Sequence, residues 1–232
     1  MLSDRQIYTE LTKLLKEDPF FDFMNMYKGL PLVYEAVLQN VGEKSAKFKV
    51  VSPSSVCLDW EPQTTILEDQ KTATLTANVI DFDILTGIVE LTNFRYGGRH
   101  VGNRMIVRVE PRDEISVDIE TDSQKLTGEL ADISLTGLGV RVESLGDPAL
   151  HIRDKVQVRF QLGENPLSLQ GMVINITPDE MGYRLAIYCG GSETKIPVSV
   201  AHYIIRRREE IRQGIYDMYT QKLEKARIES EV

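Results

Sequence analysis

The chain has 232 residues, room for one large or two modest domains, and at 42% hydrophobic and 27% charged it has a folded, not a disordered, composition. A net charge of −8 argues against a general polyanion binder, because phosphate contacts dominate nucleic-acid affinity. Two isolated cysteines, Cys57 and Cys189, form no CxxC or Cys/His cluster, so buried free thiols are expected and a metal site is not.

The N-terminus has no apolar leader run and no stretch approaches a membrane span, which predicts a cytoplasmic protein. Residues 3–17 predict a helix. Ser3 and Gln6 have capping-box spacing, Ile7, Leu11, Leu14 and Leu15 share a face, and Pro19 lies just beyond the end. The aromatic and methionine-rich run 19–27 is read as packing between that helix and a following sheet, with a partner surface as the alternative. Strand-like segments then follow at 32–38, 46–51, 55–60, 72–80 and 84–92, separated by turn residues. That spacing predicts a small β-barrel or sandwich.

Residues 95–103 are glycine-rich and carry Arg95, Arg99 and His100, the pattern of a linker; His100 is expected to be exposed. Arg104, Arg108 and Arg112 follow at intervals of four. After strand-like 114–119 and 125–131 comes Asp132-Ile-Ser134-Leu-Thr-Gly137, placed at the turn between two strands. Segments 137–143, 155–162, 167–176 and 183–188 complete six strands that can close into a barrel. Beyond Pro197 a helix is predicted to about residue 228, with Ile204, Ile211, Ile215 and Met218 as its stripe. Docking on the barrel and a helix–helix contact between two copies both fit that stripe. Arg206, Arg207 and Arg208 read as a solvated face.

Either half of the central pattern alone is usually a solvated face or a hairpin turn. Together and in order, Arg-xxx-Arg on a glycine-rich arm followed by Asp-x-Ser-x-x-Gly resembles the PilZ domain, whose members bind cyclic di-GMP. The resemblance implies that Arg104, Arg108, Asp132, Ser134 and Gly137 hold the ligand, with Arg112, Asn103 and Gly139 as further candidates. It implies no catalytic residue, no metal and no cofactor other than the ligand itself. Arg104/Arg108 is the better register and Arg108/Arg112 the alternative. Many members carry another arginine where this chain has Asn103, which leaves open one ligand or an intercalated pair. The residue types suit the ligand: a guanidinium grips guanine O6 and N7 bidentately or pairs with phosphate, and a carboxylate accepts from the guanine N–H edge.

A β domain placed directly before this one resembles the flagellar-brake family. The expected fold is therefore mainly β: two small antiparallel β-barrels with an N-terminal helix and a long C-terminal helix. Domains are expected at 1–94, 104–197 and 198–232, with 95–103 as linker. The expected function is a non-catalytic cyclic di-GMP receptor whose ligand changes the arrangement of its two domains and so regulates a protein partner, in the setting of motility or surface behaviour, with the flagellar motor a candidate. An enzyme is disfavoured because His100, His151 and His202 are scattered without a nucleophile or metal signature. The remaining alternative is a structural or RNA-binding β-barrel adaptor with a degenerate nucleotide site.

Overall fold

The computed structural model describes residues 4–67, 74–96, 107–190 and 197–230. It divides into two compact units: the first comprises Met1–Tyr27, Pro31–Arg104 and Ile211–Val232, the second Lys28–Leu30 and Met105–Glu210.

The first unit opens with helix α1 (Asp4–Glu17). Ile7 and Leu11, four apart and so on one face, enter the core beside the strands. Strands β1 (Phe20–Tyr27), β2 (Leu30–Val41), β3 (Ala46–Val50), β4 (Gln63–Leu67), β5 (Thr74–Asp83) and β6 (Ile88–Tyr96) close into an antiparallel barrel of order β1-β2-β3-β6-β5-β4. Phe48 sits at its centre, edge-on to Phe23 at 5.1 Å and to Phe21 at 5.6 Å. Each such pair contributes roughly 0.5–1.5 kcal/mol beyond its burial. Asn25 is buried but satisfied: its Oδ1 accepts from Tyr34 Oη at 2.8 Å and Thr64 Oγ1 at 2.9 Å, and its Nδ2 donates to Gln63 O at 3.1 Å. Burial pushes the Tyr34 hydroxyl far above its ordinary value, which suits its role as a donor.

Residues 19–27, read as packing between the helix and the sheet, put Phe21 and Phe23 into one core with Ile7 and Leu11, and they do so as strand β1, which pairs with β4 through Phe23 and Ile66. One reading for this half is corrected. Residues 55–60, read as a strand, lie almost entirely in a 3-10 helix, Pro53–Asp59. Ser52 caps it by accepting from Ser54 N at 3.2 Å, and Pro53 supplies a preset first turn. Four consecutive residues, Ser55, Val56, Cys57 and Leu58, are buried.

The second unit contains β7 (Arg108–Val109), β8 (Ser116–Glu120), β9 (Lys125–Ser134), β10 (Gly137–Val142), β11 (Lys155–Leu162), β12 (Asn165–Asp179) and β13 (Gly182–Tyr188). Their order is β10-β13-β12-β11-β8-β9, closed by the β9–β10 pairing, with β7 added along β9. This is the predicted closed six-stranded barrel. Strict alternation along β11 sends Val156, Val158, Phe160 and Leu162 inward. Val117 and Ile119 on β8 stand opposite Phe160 and Val158, and Leu130, Ile133, Leu185 and Ile187 are buried as well.

Helix α2 (Val198–Ser230) is the predicted C-terminal helix. Val200 and Ile204, in the part belonging to the second unit, and Ile211 and Ile215, in the part belonging to the first, are all buried within the chain. In the first unit Lys222 pairs with Asp59 and lies 5.4 Å over the Trp60 ring. The reading of Arg206–Arg208 as solvated holds for Arg206, only in part for Arg208, which is half-buried with its Nε buried, and not for Arg207. Arg207 is three residues from Ile204 and takes an inward place on the stripe, 6% exposed. Its Nε donates to Glu110 O at 2.9 Å, and its Nη1 lies 3.1 Å from Glu210 Oε2.

Cys57 and Cys189 are both free and buried. Burial pushes Cys57 up to about 12, with Glu61 adding to it, and Cys189 up to about 11, from an ordinary 9.0. The fold therefore disfavours both thiolates. Stability is untouched by these groups below the unfolded value and is lost as pH rises from about 9 through the folded values. A thiol reagent at neutral pH should label neither cysteine in the native chain and both in denaturant, with the urea midpoint falling above about pH 9. Native labelling at the rate of a free cysteine would contradict this burial.

Candidate functional site

The hairpin joining β9 to β10 has a two-residue loop, Leu135-Thr136, between Ser134 and Gly137. Ser134 Oγ donates to Gly137 O at 3.0 Å and accepts from Thr136 N at 3.4 Å, so the serine hydroxyl closes the turn. Ser134 is opposite Gly137, and Asp132 is opposite Gly139. A Cβ on Gly139 would lie 2.6 Å from Asp132 Oδ2, so the glycine gives the carboxylate its place. At Gly137 the close neighbour is the adjoining strand: a Cβ there would lie 2.2 Å from Ile187 O.

Asp132 is sunk between two arginines. β7 runs along β9 with Arg108 opposite Ser134, which carries Arg108 Nη1 to 3.7 Å from Asp132 Oδ1. On β13, Arg184 Nη2 donates to Asp132 Oδ2. The Asp132 side chain is only 4% exposed, against 37% for Arg108 and 42% for Arg184. Oδ1 is buried and has no hydrogen-bond partner among the described residues. A buried acceptor flanked by two half-exposed guanidiniums can receive a ligand that offers an N–H edge and anionic oxygens together.

Of the residues singled out from the sequence, Arg108, Asp132, Ser134, Gly137 and Gly139 come together here. Arg112 is exposed in the connection from β7 to β8. Arg104 and Asn103, and with them the linker residues from Gly97 to Asn103, lie outside the described residues. Arg184 was missed by the sequence reading. The alternation of residues 183–188 puts it on the outward face, but its pairing with Asp132, 52 positions away, comes from barrel closure. Among the described residues no group of three or more His, Cys, Asp or Glu side chains is placed to hold a metal ion.

Residues 103–198 match the PilZ domain family. This segment is a PilZ domain. Its barrel carries the Asp132 cluster on the outward side of β9, β10 and β13, with β7 supplying Arg108. The chain is similar to the crystal structure of YcgR from Escherichia coli in complex with c-di-GMP, at 13% identity over 90% of this chain and 91% of that one, with a TM-score of 0.44. It is also similar to the K. pneumonia MrkH–c-di-GMP complex, at 10% identity over 91% and 97% with a TM-score of 0.47. The Bacillus subtilis inhibitor of motility MotI/DgrA is a third, at 11% identity over 83% and 96% with a TM-score of 0.41. No curated protein sequence matches the chain significantly. No helix among the described residues is long and apolar enough to cross a membrane.

Proposed function

We propose that the chain is a non-catalytic receptor for cyclic di-GMP, with the ligand held at Asp132 on the PilZ domain. The observation that carries this reading is the buried Asp132 Oδ1, which lacks a hydrogen-bond partner among the described residues and is flanked by Arg108 and Arg184. Guanine offers donors from its N–H edge to such a carboxylate, and acceptors at O6 and N7 to a guanidinium beside it. The ligand's phosphates give the second guanidinium a partner. Arg104, on the arm before Arg108, joins the grip in this reading, and Ser134 and Gly137 shape the turn beneath it.

Residues 97–106 connect β6 to β7, so ligand held at Arg108 pulls on the chain segment leading back to the first unit. The output follows from that: binding changes the arrangement of the two units, and a cytoplasmic protein partner reads the change. By the flagellar-brake resemblance the setting is motility or surface behaviour, and the flagellar motor is the first partner to test. Small-angle scattering with and without cyclic di-GMP reads the rearrangement directly, and identical profiles at saturation would remove it.

Calorimetric titration of the full chain tests the ligand. Cyclic di-GMP should bind, while cyclic di-AMP, lacking the O6 acceptor and the matching donors, and GTP should bind far more weakly. Arg108→Ala should lose about 5- to 150-fold in affinity, the worth of a bidentate guanine contact, and exposed Arg112→Ala should lose much less. Equal affinity for cyclic di-AMP would remove the guanine-reading roles of Asp132 and the arginines.

A further inference from the structure

We infer that the PilZ barrel carries a base-stacking subsite beside the Asp132 cluster, in which Tyr188, with Met172 at its side, stacks a purine base of the dinucleotide. The inference rests on the ligand reading above and adds a wall to the site that neither motif half contains.

Strand register places the residues in one row. Arg108 is opposite Ser134, Ser134 opposite Gly137, Gly137 opposite Tyr188, Tyr188 opposite Met172, and Met172 opposite Lys155. Directly opposed residues present their side chains on the same face of a sheet. That face is the outward one: Tyr188 and Met172 are 42% and 37% exposed, while their chain neighbours Ile187 and Val173 are 2% and 0% exposed. Gly137 puts no side chain between Ser134 and Tyr188. At about 4.8 Å per strand step, the tyrosine backbone is about 10 Å from that of Ser134, within one dinucleotide's reach.

The row also has the charge pattern the ligand needs. It is cationic at both ends, in Arg108 and Lys155, and aromatic and thioether in the middle. Tyr188 and Met172 line an open groove of about 900 Å³, together with Lys155, Gln157, Arg159 and Gln170. Of its acidic groups, Glu120 is already engaged by Arg159 and by Lys125 at 3.8 Å, which leaves Asp122. A single exposed aromatic on a soluble protein is ordinary. A tyrosine and a methionine side by side, between Arg108 and Lys155 and in register with Ser134 and Gly137, give the middle of this row an apolar surface. A purine has the π-face to use it.

The test is a titration of the full chain with cyclic di-GMP, comparing wild type, Tyr188→Ala, Tyr188→Phe and Arg108→Ala, with thermal melts to verify folding. Tyr188→Ala should weaken binding by about 5- to 150-fold, the range for losing one base stack, and Tyr188→Phe should stay within about twofold because the ring is kept. A near-ultraviolet dichroism change of the ligand on binding should be lost in the alanine variant and kept in the phenylalanine one. If Tyr188→Ala binds like wild type while Arg108→Ala does not bind, the stacking wall is overturned and the receptor reading stands. If wild type itself fails to bind cyclic di-GMP, both fall. If Tyr188→Ala melts well below wild type, Tyr188→Phe against Tyr188→Leu decides: equal binding by the two overturns stacking, and loss confined to leucine upholds it.

Discussion

Asp132→Ala is expected to weaken cyclic di-GMP binding and to destabilise the PilZ barrel at the same time. The carboxylate is buried and holds Arg184 directly, with Arg108 at 3.7 Å. Removing one partner of a fully buried ion pair costs about 3–5 kcal/mol, because the other charge is stranded. Here both guanidiniums are more than a third exposed, so water takes over part of the lost interaction. The expected loss is therefore about 1.5–3 kcal/mol, the range for a hydrogen bond to a charged group. Asp132→Asn keeps the shape that Gly139 accommodates but turns one oxygen into a donor facing an arginine, so it should lose ligand while keeping more stability. Urea unfolding and calorimetry on the same two variants separate the effects. An alanine variant with an unchanged urea midpoint would mean that the Asp132–Arg184 contact contributes nothing to the barrel.

Gly137→Ala should be among the most destabilising single changes in the second unit. The added Cβ would sit 2.2 Å from Ile187 O and 3.2 Å from Tyr188 Cα, both backbone atoms of β13. A side chain could rotate away, but a strand in a closed barrel can yield only by breaking its pairing with β10, which runs from Gly137↔Tyr188 to Val142↔Tyr183. Overpacking of this kind costs about 1–3 kcal/mol and more where backbone must move. Gly214→Ala, in α2, is the control. Its Cβ meets nothing within 4 Å, so it should stabilise by roughly 0.5–1 kcal/mol through helix propensity. Thermal or urea unfolding of the two variants should move in opposite directions. A Gly137→Ala chain that unfolds like wild type would show that β13 can be displaced cheaply, and the rigid wall on which Tyr188 and Arg184 stand would lose its basis.

Spacing along the chain determined much of this protein. Ile7 and Leu11 marked the inward face of α1, the alternation in residues 155–162 marked β11, and Asp132, Ser134 and Gly137 marked a turn because a two-residue hairpin depends on its own side chains. These are local patterns, set by helix and strand periodicity and by turn chemistry. The failures came where segment composition pointed one way and capping or tertiary contacts the other. Residues 55–60 have strand-forming composition, yet Ser52 and Pro53 just before them start a capped 3-10 helix in which Ser55 to Leu58 are buried together. Arg207 belongs to a basic run, yet lies inward because Glu110 O and Glu210 receive it.

At the site itself, the sequence determined the residues that one hairpin brings together: Asp132, Ser134 and Gly137. Only barrel closure decided that Arg184 grips Asp132 and that Tyr188 stands opposite Gly137. The physical reason is the register of β10 on β13. A one-residue slip would turn both side chains to the other face, and that register is set by Leu185 and Ile187 seeking the core, not by any feature near Asp132.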